Sequence, residues 1–187
     1  GPAGAYKLKA KQIIDGTGKW AAPGFVDTHL HIESTMVTPA SYAAGVLPFG
    51  TTTSVIDPHE IGNVLGMDGI RYMIEGSNGL PLRVYIAISS CVPAVPGKET
   101  SGANFGPSEV TEMLTWPRVI SVAEVMDYKA VINGSSKMLG IVQAGLEANV
   151  VIQGHSPLLV GRDLNAYLAA GVENDHELRQ GEEGLEK

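Results

Sequence analysis

Short apolar runs alternate with longer amphipathic stretches along most of this chain, and this rhythm constrains the fold more than any other feature. From Gly24 onward, six runs are rich in β-branched or apolar residues: 25–32, 52–56, 83–89, 119–125, 150–153 and a weaker run at 172–174. Repeated βα units of this kind build a parallel sheet covered by helices. The sequence therefore predicts an α/β fold with about six parallel strands.

The stretches between these runs carry helix start signals. Thr38 is a candidate N-cap with Pro39 at the first helical position, and Ser108 is a second candidate start. The other predicted helices cover roughly residues 67–75, 135–148, 162–170 and 180–187. Residues 90–107 are rich in Pro and Gly and too many for an ordinary βα connection, so we expect a loop over the functional face.

Composition excludes several classes of function. With 187 residues, 44% of them hydrophobic, the chain can bury one sizeable core. The net charge is -7 and no basic stripe is present, so nucleic acid and anionic membranes are poor partners. Cys91 is the only cysteine, which excludes an intramolecular disulfide and a thiolate-rich zinc site. No apolar run reaches 18 residues, and we expect a cytoplasmic protein.

The histidines share one position relative to the predicted sheet. The chain has five, and each lies at or just past the C-terminal end of a predicted strand: His29, His31, His59, His155 and His176. In barrels and open α/β sheets, active sites are built at this edge. One such histidine is more often structural than functional, but five on one rim predict a binding or catalytic site.

The strongest single element is His29-Leu30-His31. Alternate residues of a strand point to the same side, so two imidazoles at this spacing can bind one ion. Preceded by Pro23-Gly24-Phe25-Val26-Asp27 and followed by Glu33-Ser34, the motif becomes specific, and the chain resembles the amidohydrolase superfamily. Within it, the resemblance is greatest to the adenine deaminases. It extends over about residues 13–187 and is carried by residues 23–39, Gly50-Thr51-Thr52-Thr53, Asp57-Pro58-His59-Glu60-Ile61, Ser90-Cys91-Val92-Pro93, Glu124-Val125-Met126, Gly154-His155-Ser156-Pro157, residues 163–167 and Asp175-His176-Glu177.

The resemblance implies a partial TIM-type (β/α) barrel over residues 23–187. Residues 6–14 alternate like a strand and Asp15-Gly16-Thr17-Gly18 indicates a hairpin turn, so residues 1–22 are predicted to be the remnant of a small N-terminal β-sandwich-type element. Six strands leave two exposed parallel edges, from which we expect a homo-oligomer.

The resemblance also implies a binuclear centre of divalent metal ions at the barrel mouth. His29 and His31 would bind the more buried ion, His155 and His176 the outer one, and Glu124 would bridge them. Imidazoles with a carboxylate suit manganese, iron or zinc, and the family favours manganese or iron. Several superfamily members use a carboxylated lysine as the bridge, whereas residues 119–126 contain no lysine, which favours a deaminase.

The remaining site predictions concern the substrate, a purine by resemblance. Glu33, His59, Ser90 and Cys91 are expected at the substrate; a turn role for His59 and a pocket-wall role for Cys91 stay open. Glu177 is expected to move protons beside His176 and Glu124, and Glu33 is an alternative for that work.

The implied reaction is hydrolytic deamination of adenine to hypoxanthine and ammonia, with a water activated by the metal ions. In the superfamily an aspartate on strand eight moves the protons, and six predicted strands do not include it. Two alternatives therefore remain. One is an amidohydrolase acting on a cyclic amide or another heterocycle, and the other is a metal-binding chain without catalysis.

Overall fold

The structure, a computed structural model, describes residues 11–187. They form one parallel sheet with the strand order β1-β2-β3-β4-β5-β6, so each strand pairs with its neighbours in sequence. The strands are β1 Phe25–Leu30, β2 Thr51–Ile56, β3 Arg83–Ile88, β4 Val119–Val125, β5 Val151–Gly154 and β6 Asn174–Asp175. This sequential order is that of a (β/α) barrel, and the six strands make up a partial TIM-type barrel.

Helices connect successive strands. They are α1 Pro39–Val46, α2 His59–Leu65, α3 Met67–Gly76, α4 Pro107–Met113, α5 Tyr128–Ile132, α6 Ser136–Glu147, α7 Gly161–Ala169 and α8 Gly181–Glu186, with 3-10 turns at Glu33–Thr35 and Leu47–Phe49. Thr38 caps α1 as predicted, its hydroxyl accepting from the Ser41 amide. The predicted α/β fold and its six parallel strands are confirmed.

Some boundaries were predicted wrongly. The start of α4 is not Ser108: Gly106 precedes the helix, and its amide donates to Glu109 Oε2 at 2.9 Å. The last strand begins at Asn174, two residues later than predicted. Helices α2 and α5 were not predicted, because seven and five residues are too few to show a helical period.

The larger core lies between the sheet and the helices. Ile86, Ile88, Val122, Ile141 and Ile152 are all fully buried there. A smaller apolar cluster, Val55, Ala87 and Ala123 with Tyr85 against it, fills the concave side of the sheet. The candidate site residues lie beyond this inner cluster, at the carboxyl ends of the strands.

Register shifts occur in the two strands that carry the central site residues. In β4, Val122 pairs with Ile152 and Val125 with Gly154, so one extra residue separates the pairs. Such a bulge interrupts the alternation of side chains. Val122 and Val125 therefore both belong to the larger core between the sheet and the helices. Glu124 points instead to the concave side of the sheet, where it contacts His29. In β1 a similar shift lies between Asp27 and Leu30 and includes His29.

Residues 11–24 contain no helix or strand. A turn is present at the predicted position, since the Lys19 amide donates to Gly16 O at 2.9 Å and Asp15 accepts from Thr17, but no strand flanks it within residues 11–24, so a hairpin is not formed there. Most of the strand predicted over residues 6–14 lies outside the described residues, and the boundary at residue 22 stays a prediction. Among the described residues, no helix has the length and apolar character needed to cross a membrane.

Candidate metal centre

Glu124 lies at the centre of the histidine cluster. Its side chain is buried, with 3% of the residue exposed, and its Oε1 atom faces β1 and β2. The Nε2 atoms of His31, His29 and His59 lie 3.4, 3.8 and 3.9 Å from Oε1. Three imidazoles from two neighbouring strand ends thus converge on one carboxylate oxygen.

The second oxygen of Glu124 faces the ends of β5 and β6. His155 Nδ1 lies 2.7 Å and His176 Nε2 lies 3.3 Å from Oε2, and these two nitrogens are 3.3 Å apart. Glu177 joins this pair, since its carboxylate and the two imidazoles offer ligand atoms within 4.8 Å of one another. The two oxygens of Glu124 therefore face two separate groups of histidines.

Hydrogen bonds at the rear of two rings fix their tautomers. His31 Nδ1 donates to Asp57 O at 2.7 Å, and His29 Nδ1 donates to Gln153 Oε1 at 3.3 Å. Both acceptors are carbonyl-type oxygens, so Nδ1 of each ring carries a proton and Nε2 faces Glu124. Partners of this kind orient the histidine ligands of metal sites.

One atom of the cluster lacks a hydrogen-bond partner. His29 Nε2 is buried, and no donor or acceptor among the described residues bonds to it. Buried polar atoms are normally satisfied, so an exception needs an explanation. The position of this nitrogen, beside a carboxylate oxygen and other imidazoles, is what a divalent ion requires, and the residues present fit such an ion.

Burial and neighbouring groups set the protonation states of the cluster. Burial alone would raise the pKa of Glu124, but hydrogen bonds from His155 and His176 hold this pKa well below its usual range. Burial and the nearby His176 lower the pKa of His29. Glu124 is therefore an anion and His29 a neutral base at neutral pH, which are the protonation states that metal ligands need.

A second acidic group adjoins the His31 side. Burial raises the pKa of Asp57 to about 8, and Ser89 donates to its Oδ1 atom at 2.5 Å. Burial opposes protonation of His59, but the hydrogen bond to Glu60 and the charges of Asp57 and Glu124 raise its pKa to about 9. Since His59 and Glu60 begin α2, this short helix places both side chains at the rim.

Three of the residues predicted to contact substrate are wholly or partly buried. Ser90 and Cys91 are buried; Ser90 Oγ donates to the backbone oxygen of Glu124 at 2.7 Å, and burial raises the pKa of the Cys91 thiol. Glu33 Oε1 accepts from the Ile61 amide at 3.3 Å, while Oε2 is buried without a partner among the described residues. Burial raises the pKa of Glu33 to about 7. Their contacts with substrate stay predictions.

A groove of about 400 Å³ lies on the open side of the cluster. Its lining consists of Thr28, His29, Gln153, Asn174, Asp175 and His176. The volume falls in the range of small-molecule sites. It lies between β1 and the β5–β6 edge, so both groups of histidines border the concave side of the half-barrel.

The sequence did not predict the contacts of Gln153, the Asp57 carbonyl and Tyr167 with the site. Tyr167 on α7 donates to Val125 O at 2.6 Å and accepts from the His155 amide at 3.2 Å, which joins β4 to the β5 rim. Gln153 carried a usable signal, because it lies two residues before His155 on the same predicted strand. A backbone carbonyl has no sequence signal of its own.

Comparison with known proteins identifies the family of this chain. Residues 20–187 match the amidohydrolase family. The chain belongs to this family. The amidohydrolase chain is also similar to the adenine deaminase of Serratia proteamaculans (strain 568), with 52% identity over 179 residues. That match includes 96% of this chain and 30% of the relative.

Two further relatives have similar names. The adenine deaminase 2 of Rhizobium johnstonii (strain DSM 114642 / LMG 32736 / 3841) is 51% identical over 185 residues, covering 99% of this chain and 31% of the relative. The adenine deaminase 2 of Rhizobium meliloti (strain 1021) is 49% identical over 178 residues, covering 95% of this chain and 30% of the relative. The amidohydrolase chain thus spans about 30% of the length of the curated relatives it matches.

Proposed function

We propose that this chain carries the metal-binding part of an adenine deaminase, which hydrolyses adenine to hypoxanthine and ammonia. The observation that carries the proposal is the division of the Glu124 carboxylate between two groups of histidines, three at Oε1 and two at Oε2. The names of the relatives support the substrate, and the absence of lysine from residues 119–126 argues against a carboxylated-lysine bridge.

We infer a centre of two divalent ions, manganese or iron, with zinc as the alternative. His29 and His31 would hold one ion through their Nε2 atoms, His155 and His176 the other, and Glu124 would contact both. When bound, the ions would supply Lewis-acid activation of the attacking water. Neutral imidazoles and an ionised carboxylate are the ligands that such ions need.

Other residues would bind the purine and move protons. The groove beside His29 and His176 would receive the ring, and Glu177 would hold or pass on a proton at its carboxylate. Glu33 lies beside α2, where its unpartnered Oε2 atom could bond a ring nitrogen. The resemblance assigns the principal proton transfer to an eighth strand, and the described residues contain six. We therefore expect slow turnover by this chain.

The test is loading of the metal-free chain with Mn²⁺, followed by measurement of adenine binding by calorimetry and of hypoxanthine formation by ultraviolet absorbance. The proposal predicts binding of about two ions per chain and of adenine, with detectable conversion. A panel of cyclic amides run in parallel separates the alternative amidohydrolase. Conversion of a cyclic amide without any response to adenine would contradict the proposal.

The expected homo-oligomer and cytoplasmic location stay predictions.

A further inference from the structure

A buried ion cluster lies behind the histidines that face Glu124 Oε2. Lys187 Nζ is 2.7 Å from Asp175 Oδ2 and 2.8 Å from Glu183 Oε1. The side chains of all three are almost completely buried, with exposed fractions of 7% for Lys187, 4% for Asp175 and 2% for Glu183. Removing one member of such a cluster leaves buried charge without compensation, which perturbs the surrounding structure.

The cluster contacts the chain on both sides of the histidine pair. Asp175 Oδ2 accepts from the Ser156 amide at 3.0 Å and from Ser156 Oγ at 2.5 Å. Lys187 Nζ also donates to Ser156 O at 2.6 Å. Ser156 directly follows His155, and Asp175 directly precedes His176. One buried carboxylate therefore joins the residues adjacent to both rings.

The other members extend this connection to the two loops. Glu183 Oε1 accepts from the Leu158 amide at 2.7 Å, and Glu183 Oε2 accepts from the Arg179 amide at 3.0 Å. Asp175 Oδ1 accepts from the Glu177 amide at 2.9 Å. The loops after β5 and β6 are thus held to α8 by side chains rather than by sheet pairing, which ends at Gly154 and Asp175.

We propose that Lys187, Asp175 and Glu183 are positioning residues that hold the rings of His155 and His176 together for binding one metal ion with Glu124 Oε2. The inference rests on the proposed function, since it assigns a support to one half of the binuclear centre. His29 and His31 are oriented by different groups, namely Gln153 and the Asp57 carbonyl. Loss of the cluster should therefore affect one ion and leave the other in place.

The test compares Lys187→Met with the unsubstituted chain in a titration with Mn²⁺, with free Mn²⁺ followed by electron paramagnetic resonance. Methionine keeps most of the apolar stem and removes the charge. We expect one of the two ions to bind roughly 10–100-fold more weakly, as is typical when supporting partners of metal ligands are lost. Lys129→Met, on the exposed side of α5, is the matched control and should bind both ions like the unsubstituted chain.

Imidazole ¹H–¹⁵N spectra of the metal-free protein give a second readout that does not require an ion. The ring signals of His155 and His176 should shift in Lys187→Met, and those of His29 and His31 should not. Glu183→Gln is the milder variant if Lys187→Met does not fold. It should weaken the same ion by a smaller factor, because the amide oxygen can still accept from Leu158.

The proposal is overturned if Lys187→Met binds both ions with unchanged affinity, or if both ions weaken equally, since a general loss of stability would do the latter. Failure of the unsubstituted chain to bind manganese would instead contradict the proposed function. The ring signals of the metal-free protein would then decide the positioning role alone.

Discussion

At the scale of single residues, Glu124 has surroundings that a structural carboxylate would not need. It is almost completely buried, and five imidazoles lie within 3.9 Å of its oxygens. In the structure, His155 and His176 bond to Oε2 of this carboxylate, while His29, His31 and His59 surround Oε1. With ions bound, the same atoms become ligands, so the side chain should control metal affinity.

Glu124→Gln should abolish the binding of at least one ion, because an amide offers one acceptor oxygen where the carboxylate offers two. We expect affinity for Mn²⁺ to fall by more than about 100-fold, beyond the loss typical of supporting partners. Elemental analysis after dialysis measures the content. Glu112→Gln, on the exposed surface of α4, is the control, and equal metal content in both variants would refute the bridging role.

Asp57 and His59 predict how the stability of the metal-free chain depends on pH. The pKa of Asp57 is raised to about 8 by burial, and that of His59 to about 9 by Glu60, Asp57 and Glu124 against the effect of burial. Both groups hold protons in the folded state that the unfolded chain has released. Protonated His59 therefore stabilises the fold fully below about pH 6.5, and this stabilisation is lost as the pH rises through 9. The stabilisation from protonated Asp57 is likewise lost as the pH rises through 8.

Thermal denaturation in the presence of a chelator should therefore show a lower Tm at pH 9 than at pH 6.5, by roughly 2–4 °C for each kcal/mol lost. His59→Gln should reduce this dependence. A Tm that is constant or rises over this interval would show that these protons are not held as described.

At the scale of elements, the sequence predicted the strands well because apolar periodicity and strand order together define a βα repeat. β4 was predicted with the bounds it has, Val119–Val125. Its bulge was not predicted, since a register shift depends on pairing with β5 and leaves no mark in one strand. For the same reason, the convergence of rim histidines was predictable while the tautomer-fixing contacts of His29 and His31 were not.

The packing of α6 on the sheet depends on a residue without a side chain. A Cβ atom at Gly145 would lie 2.8 Å from Val122 Cγ2 and 2.9 Å from Ile152 Cγ1. Gly145→Ala should therefore destabilise the chain by about 1–3 kcal/mol in urea denaturation, despite the better helix propensity of alanine. Gly45→Ala in α1 has open space at the same atom and should stabilise by about 0.5–1 kcal/mol. Equal effects of the two substitutions would contradict this packing.

At the scale of the whole molecule, metal binding and folding should be coupled. The proposed ligands come from the ends of β1, β4, β5 and β6. Bound ions would therefore connect the first strands of the sheet with the last ones. Each ion that binds only the folded state stabilises it by about 2.7 kcal/mol at 100 times Kd. Saturating Mn²⁺ should accordingly raise the Tm by roughly 5–11 °C for each ion bound. The same addition should raise the Tm of Glu124→Gln by less, and an equal rise in that variant would indicate binding elsewhere.

The family could be inferred from local motifs, because His29-Leu30-His31 and its neighbours lie on consecutive residues. The arrangement of the complete centre required the fold, since Glu124 and His176 are 52 residues apart and meet only through the strand order. The ion pairs of Lys187 with Asp175 and Glu183 could not be predicted from a motif, because pairs between buried side chains depend on how α8 packs.

The most direct test of the binuclear centre is anomalous diffraction at the manganese absorption edge, from crystals of this chain grown with Mn²⁺. We expect two peaks, one on each side of the Glu124 carboxylate. The first should lie beside the Nε2 atoms of His29 and His31, and the second beside His155 and His176. No peak at Glu124, or one only at a site remote from these histidines, would contradict the binuclear centre.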